Sequence, residues 1–452
     1  MATAKIIDMP QLDPDIMALP SKPDDDQLAS TIADRWAGHY AFFHEDWKAY
    51  ENGCWVTKNQ REMRYVVRNF LAACRSRGVR ADMGRVRDVT AMLETDVFVG
   101  DDIIKETAIE RKKYIPLRNG VFNLETLELE NHRHDLFFNV QCDFGYDPDA
   151  VAPAFSRYIY KSLVKREGKD WKPDGELVNF AYEALGYCLT ARTDLKASFW
   201  LHGERNSGKS TLIALIKNLM GSMHTTIDLN QLSTNRFLLA SAIGKRVVTF
   251  GEMDEDTRIP EALYKTMVGG SDEIYTDVKN RTGVSFVPEF KLIWGMNNLP
   301  RIVDRSGATF ARLYMIPFNR TIPEHERIEG LDNILMNERS GIFNYLIAAY
   351  KRLLQRGHFE LPEQSEKLRK QTMEDNDTEK YILNEIAELD PENSESAYDL
   401  HRAYMDACSD FGFKPKSIKK IAPDWRRLGL ADYHSMGSRW RGVRLKKQYS
   451  YK

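Results

Sequence analysis

The stretch that most limits what this chain can fold into is Gly203-Glu204-Arg205-Asn206-Ser207-Gly208-Lys209-Ser210-Thr211. An apolar run, Ala197-Ser198-Phe199-Trp200-Leu201, leads into it, and an apolar helical pattern over residues 212–220 leaves it. A buried strand turning through a glycine-bearing loop into a helix is the opening unit of an α/β sheet. The G-x-x-x-x-G-K-S spacing lets backbone N–H groups curl around phosphates at a helix N-terminus. Lys209 then reaches the β- and γ-phosphates, and Ser210 is suited to hold Mg²⁺. Residues 203–211 are therefore expected to bind ATP with Mg²⁺.

Such a loop does not by itself separate a kinase from a GTPase or a motor. Arg246-Val247-Val248-Thr249-Phe250 reads as a second strand running into Gly251-Glu252, 43 residues after Lys209. An acid at that strand end, Glu252, suits the Mg²⁺ shell and polarisation of the attacking water. Lys291-Leu292-Ile293-Trp294-Gly295-Met296 is a third strand, and the amide of Asn297 beyond it can orient water. Arg312 is a candidate for stabilising transition-state charge from a neighbouring subunit. Between these strands, residues 273–278 and 284–287 form a hairpin with Lys279 and Arg281 at its tip. Two cations on a projecting turn can grip a phosphate backbone, although a basic hairpin tip alone is commonplace.

The 452 residues suffice for two to four domains, and a net charge of −2 requires any nucleic-acid surface to be local. Four prolines and Asp24-Asp25-Asp26 make residues 1–25 an expected flexible arm. Residues 26–150 are expected to be an accessory or collar domain and residues 151–195 a helical linker. The motor core follows over 196–325, a helical extension over 326–375 and a basic domain over 376–452. In the accessory domain Asn52-Gly53 predicts a tight hairpin turn, and residues 61–75 a helix with Tyr65, Phe70 and Leu71 available for burial. Residues 155–190 read as mostly helical. Five well-separated cysteines fit neither a disulfide framework nor a zinc site built on cysteine pairs. No signal peptide or run of about 18 apolar residues is visible, so a cytoplasmic protein without membrane contact is expected.

Residues 411–452 carry twelve Lys/Arg against two Asp/Glu. Helices over 400–411 and 417–428 and a strand over 438–445 suggest a small winged-helix module. Its Lys416, Lys419, Lys420, Arg439, Arg441 and Arg444 are candidate contacts to duplex phosphates.

Taken in order, these segments resemble a superfamily 3 helicase, the motor half of phage, plasmid and poxvirus primase–helicases. The similarity is carried by Ile115-Pro116-Leu117-Arg118-Asn119-Gly120-Val121, Tyr146-Asp147-Pro148 and Leu185-Gly186-Tyr187. It continues through the phosphate loop, Gly251-Glu252, residues 265–272 with their hairpin, Asn297-Asn298-Leu299-Pro300-Arg301, and residues 338–344. The resemblance implies an AAA+-like P-loop NTPase core with an α+β N-terminal region and a C-terminal winged-helix module. It also implies a homo-oligomeric ring, usually of six subunits, translocating 3′ to 5′ on single-stranded DNA. Residue by residue, Lys209 and Ser210 match the nucleotide and Mg²⁺ ligands. Glu252 matches the acidic motif, Asn297 the sensor, Lys279 the hairpin lysine and Arg312 the arginine finger. Arg205 and Asn206 depart from the loop of many relatives, and the family's Arg-Arg pair is Ala311-Arg312 here, with Arg305 as the fallback finger. About 200 residues precede the loop and match the accessory region, so a stand-alone helicase without primase activity is expected. It would act on single-stranded and forked DNA in replication of a phage or mobile element, in the host cytoplasm, with a separate primase or polymerase as a further partner. The alternative is an origin-binding ATPase initiator or scaffold without processive unwinding.

Overall fold

A five-stranded parallel sheet organises the centre of the chain. Its strands are β1 (Ser198–Gly203), β2 (His224–Ile227), β3 (Val247–Phe250), β4 (Lys291–Met296) and β5 (Leu313–Phe318), in the spatial order β2-β3-β4-β1-β5. The computed structural model describes residues 14–450 except 233–234, 236, 252–260, 279–282, 299–308, 412, 414 and 435–436. Strands covered on both faces read as continuous apolar runs, and β3 and most of β1, β4 and β5 are buried accordingly. Alternation still sorts their side chains. Phe199, Leu201, Ile316 and Phe318 join one core, whereas Trp200, Trp294, Leu313 and Met315 join the other.

The first core is closed by helices α1 (Pro153–Ser162), α2 (Gly175–Cys188), α3 (Lys209–Met220) and α4 (Arg339–Arg356). Helices α2 and α4 meet closely enough that a methyl on Gly186 would lie 2.4 Å from the Leu346 carbonyl oxygen. The second core takes in the helix Glu261–Gly269, through Tyr264, Met267 and Val268, and Ile274 of the next hairpin. Residues 155–190 are mostly helical, as expected, through α1 and α2. A two-stranded hairpin, Val164–Glu167 with Asp170–Pro173, stands between α1 and α2, turning at Gly168. Its alternating charges carry no helical apolar period, which is why it interrupts the helices.

At the N-terminal side, helices Asp25–Trp36, Gln60–Ala73 and Met83–Asp96 pack on Trp47 of a three-stranded sheet formed by Tyr40–Phe43, Asp46–Glu51 and Cys54–Lys58. Asn52 and Gly53 both have positive φ in its hairpin turn, as a type I′ turn requires. Within residues 1–25, Pro14–Ala18 is helical and Leu19 is buried. Strands Tyr114–Leu117 and Gly120–Asn123 belong to the central core, where Phe122 meets Phe343 edge-on.

The C-terminal segment has a core of its own. Its order is helix Thr378–Ile386, strand Ala387–Ser396, helix Ala397–Asp410, helix Ile418–Arg427, strand Ala431–His434 and strand Ser438–Leu445. The last strand lies between the other two in an antiparallel sheet. No helix among the described residues is long and apolar enough to cross a membrane.

Candidate nucleotide site and nucleic-acid surfaces

The glycine-bearing loop leaves β1 at the C-terminal edge of the sheet, between β4 and β5. Its shape depends on two glycines. A Cβ on Gly203 would lie 2.2 Å from the Phe318 carbonyl oxygen, because β5 runs tight alongside. Gly208 sits at φ 104°, and a Cβ there would lie 2.8 Å from Ser162 Oγ on α1. Asn206 takes the remaining left-handed position at φ 59°, which asparagine tolerates better than most residues.

Two hydrogen bonds hold the loop from outside. The Tyr158 hydroxyl donates to the Gly208 carbonyl at 2.7 Å, and the Ile322 N–H donates to the Asn206 carbonyl at 2.9 Å. Burial of Tyr158 raises its phenol pKa, so it remains a neutral donor. Inside the loop, Lys209 Nζ donates to the carbonyls of Gly203 (2.6 Å) and Glu204 (2.7 Å) and to Ser207 Oγ (3.3 Å). Burial depresses the Lys209 pKa, partly opposed by the Glu204 carboxylate. α3 starts at Lys209 with no side-chain cap on its N-terminus. Its first N–H groups and helix dipole therefore converge where an anion is best held. Ser210 is exposed in that first turn and Thr211 is half-buried.

The parallel register carries other candidates to the same edge. Met296 pairs with His202, so Asn297 emerges beside Gly203 and is exposed. His202, which the sequence reading passed over, is the residue before Gly203 on β1; burial and the Lys209 charge lower its pKa, and a hydrogen bond with the Asn297 backbone opposes this. Only its place one residue before the loop could have drawn attention to it. β3 delivers Gly251 to this edge as well, while Glu252 lies outside the described residues.

Arg312 lies at the other edge. It ends a short helical turn, Phe310–Arg312, just before β5, and its carbonyl accepts from Ser198 Oγ at 3.1 Å. Leu313 pairs with Ser198 and Phe318 with Gly203, so the length of β1, roughly 16 Å, separates Arg312 from its own loop. The fallback Arg305 is outside the described residues. The same holds for Lys279 and Arg281, whereas the strands on either side of them in sequence, Ile274–Thr276 and Val284–Phe286, are paired.

In the C-terminal domain the six candidate cations have different surroundings. Lys416 Nζ contacts Glu379 at 2.9 Å and Asp424 at 2.5 Å, and both carboxylates raise its pKa against desolvation. Arg439 donates to the Ser394 carbonyl at 2.8 Å. Arg444 faces Glu388 at 3.3 Å, and Arg441 stacks over Tyr433 at 5.2 Å. Lys419 and Lys420 are exposed in the first turn of the helix Ile418–Arg427.

Comparison with known proteins bears on this arrangement. Residues 29–164 match the family described as D5 N terminal like, and residues 201–312 match a family of unknown function, DUF5906. The chain is 25% identical over 227 residues to "Putative helicase L207/L206" of Acanthamoeba polyphaga mimivirus, covering 48% of this chain and 23% of that protein. It is 24% identical over 255 residues to "Putative helicase 184R" of Invertebrate iridescent virus 6, covering 53% and 25%. Over 290 residues it is 24% identical to "Putative helicase V13" of Sputnik virophage, covering 55% and 34%. The chain thus spans about a quarter to a third of the length of these relatives. Among solved structures it resembles the apo structure of the NrS-1 C terminal region (305–718), with a TM-score of 0.54 and 13% identity over 94% of this chain and 99% of that one. That likeness concerns the fold. The matches make the chain similar, over about half of its length, to viral proteins named putative helicases.

Proposed function

We propose that this chain is an ATP-dependent DNA helicase motor, an AAA+-like P-loop core that works as a ring and translocates 3′ to 5′ along single-stranded DNA. The observation that carries the reading is the split of the candidate residues between two sheet edges. The loop 203–211 and Asn297 share one edge, and Arg312 lies at the other. An arginine so placed serves a neighbour's nucleotide in a head-to-tail ring, where the two edges of adjacent subunits meet.

In this mechanism Lys209 exchanges the carbonyls of Gly203 and Glu204 for the β- and γ-phosphate oxygens, while the N–H groups at the start of α3 hold the phosphates. Ser210 and Glu252 would hold Mg²⁺, and the exposed Ser210 hydroxyl beside Lys209 fits that part. When bound, the ion supplies neutralisation of the phosphate charge. Asn297 orients the attacking water, with Glu252 as its base. Lys279 and Arg281 grip the DNA backbone, and the C-terminal domain acts as a winged helix on duplex DNA.

The test is ATP hydrolysis with and without single-stranded DNA, alongside strand separation on a forked duplex, for wild type and Lys209→Ala. Stimulated hydrolysis and unwinding, both lost in the variant, are expected. The helix–strand–helix–helix–strand–strand order at the C-terminus, with Lys419 and Lys420 exposed on its third helix, favours one second reading, an origin-binding initiator. Hydrolysis with tight duplex binding but no unwinding would select it.

A further inference from the structure

The helix Gln60–Ala73 is amphipathic, and its buried side consists of Met63, Val67, Phe70 and Leu71. Its outer side is unusual in composition. Between residues 59 and 87 the sequence holds eight arginines, no lysine and only two acids, Glu62 and Asp82. Both acids serve backbone caps. Glu62 closes a capping box with Asn59, accepting from the Asn59 N–H at 2.8 Å. Asp82 caps the next helix by accepting from the Arg85 N–H at 3.0 Å. Two of the arginines are also structural, Arg77 donating to the Met17 carbonyl and Arg85 to Asp25 and the Pro23 carbonyl.

Arg61, Arg64 and Arg68 are exposed and, at 3.6 residues per turn, fall with Tyr65 inside an arc of roughly 100°. Arg75, also exposed, continues the line in the following turn. Among the described residues none of these four guanidinium groups has an ion-pair or hydrogen-bond partner. Tyr65, expected to be buried, is 51% exposed in their midst. A row of uncompensated guanidinium groups is costly by self-repulsion unless something anionic is bound, and their planar forks suit phosphate. An exposed aromatic ring flanked by such cations adds a stacking platform for an unpaired base.

We propose that this face, Arg61, Arg64, Tyr65, Arg68 and Arg75, binds single-stranded nucleic acid through its phosphates with one base stacked on Tyr65. The site is separate from the motor hairpin and from the C-terminal domain, and it stands whether or not the chain hydrolyses ATP. The probe is a fluorescent oligothymidylate, titrated into the 452-residue chain at several salt concentrations without nucleotide. Arg64→Glu with Arg68→Glu should weaken binding by about tenfold or more and flatten the salt dependence by roughly 1.4 log units per decade, two contacts at about 0.7 each. The milder pair Arg64→Gln with Arg68→Gln should act in the same direction and guards against a folding defect. An oligomer carrying 5-iodouracil should crosslink to the tryptic peptide of residues 65–68, and Tyr65→Phe should keep the affinity that Tyr65→Ala loses. Unchanged affinity and salt slope in both arginine pairs, with no adduct on that peptide, would overturn the proposal. Equal displacement of the oligomer by polyglutamate would overturn its assignment to nucleic acid.

Discussion

Mixing two inactive variants tests the placement of Arg312 most sharply. Lys209→Ala removes the loop cation, and Arg312→Ala removes a side chain whose loss in phosphoryl-transfer enzymes lowers the rate by roughly 10³–10⁵. Within one chain the two residues stand at opposite ends of β1, roughly 16 Å apart along the strand. An arginine side chain is too short to cross that span. If the nucleotide lies between subunits, a Lys209→Ala subunit can still lend its Arg312 to a neighbour whose loop is intact. In a one-to-one mixture, one half times one half gives about a quarter of interfaces with both groups, provided the ring is head-to-tail. Steady-state ATP hydrolysis of the mixture should therefore recover to about a quarter of wild type, while each variant alone stays near background. Subunits must be mixed under conditions that let them exchange, with a fluorescence label to confirm it. Exchange without recovery would refute the shared-site geometry.

Other outcomes follow from individual contacts. Tyr158→Phe removes the 2.7 Å bond to the Gly208 carbonyl and leaves a buried acceptor. It should cost about 1–3 kcal/mol in thermal unfolding and raise KM for ATP more than it lowers kcat. Lys291 is fully buried among the Thr190, Arg192 and Glu289 carbonyls, and burial lowers its pKa to about 7. Its folded pKa lies below the unfolded value, so the unfolded chain binds more protons from about pH 7 to 10. Wild-type stability should rise with pH across that window by at most ~1.4 kcal/mol per unit relative to Lys291→Met, in denaturant titrations; parallel profiles would refute this. In the C-terminal domain, Lys416→Ala should lower the melting temperature by removing the Glu379 and Asp424 contacts. Lys419→Ala with Lys420→Ala should instead weaken duplex binding, with a salt slope shallower by about 0.9 per lost contact.

How far the sequence could be read depended on whether a residue's neighbours were local. The loop 203–211, the Asn52-Gly53 turn and the strands around residues 198–202, 247–250 and 291–296 are set by short-range pattern, and the fold bears this out. What escaped depends on distant partners. Tyr158 matters because α1 passes under Gly208, 50 positions away. The strand Ala387–Ser396 shows little apolar alternation of its own, because its hydrophobic partners lie on Ser438–Leu445. Strand order, and so the two-edge division of Asn297 and Arg312, is likewise non-local.

Charge shows the same division more sharply. Lys416 and Arg64 are equally basic in the sequence, yet one is held between Glu379 and Asp424 and the other meets only solvent. Counting charges over residues 411–452 therefore overstates the free cations, because Arg426, Arg427 and Arg444 are also paired, with Asp432, Asp377 and Glu388. Over residues 59–87 the corresponding count is closer to the truth, because Glu62 and Asp82 are engaged by backbone N–H groups rather than by arginines. A basic segment is thus better judged by what its acids are doing than by how many there are. By that measure the N-terminal helix face holds more uncompensated charge per turn than the tail, although the tail is the more basic stretch by composition.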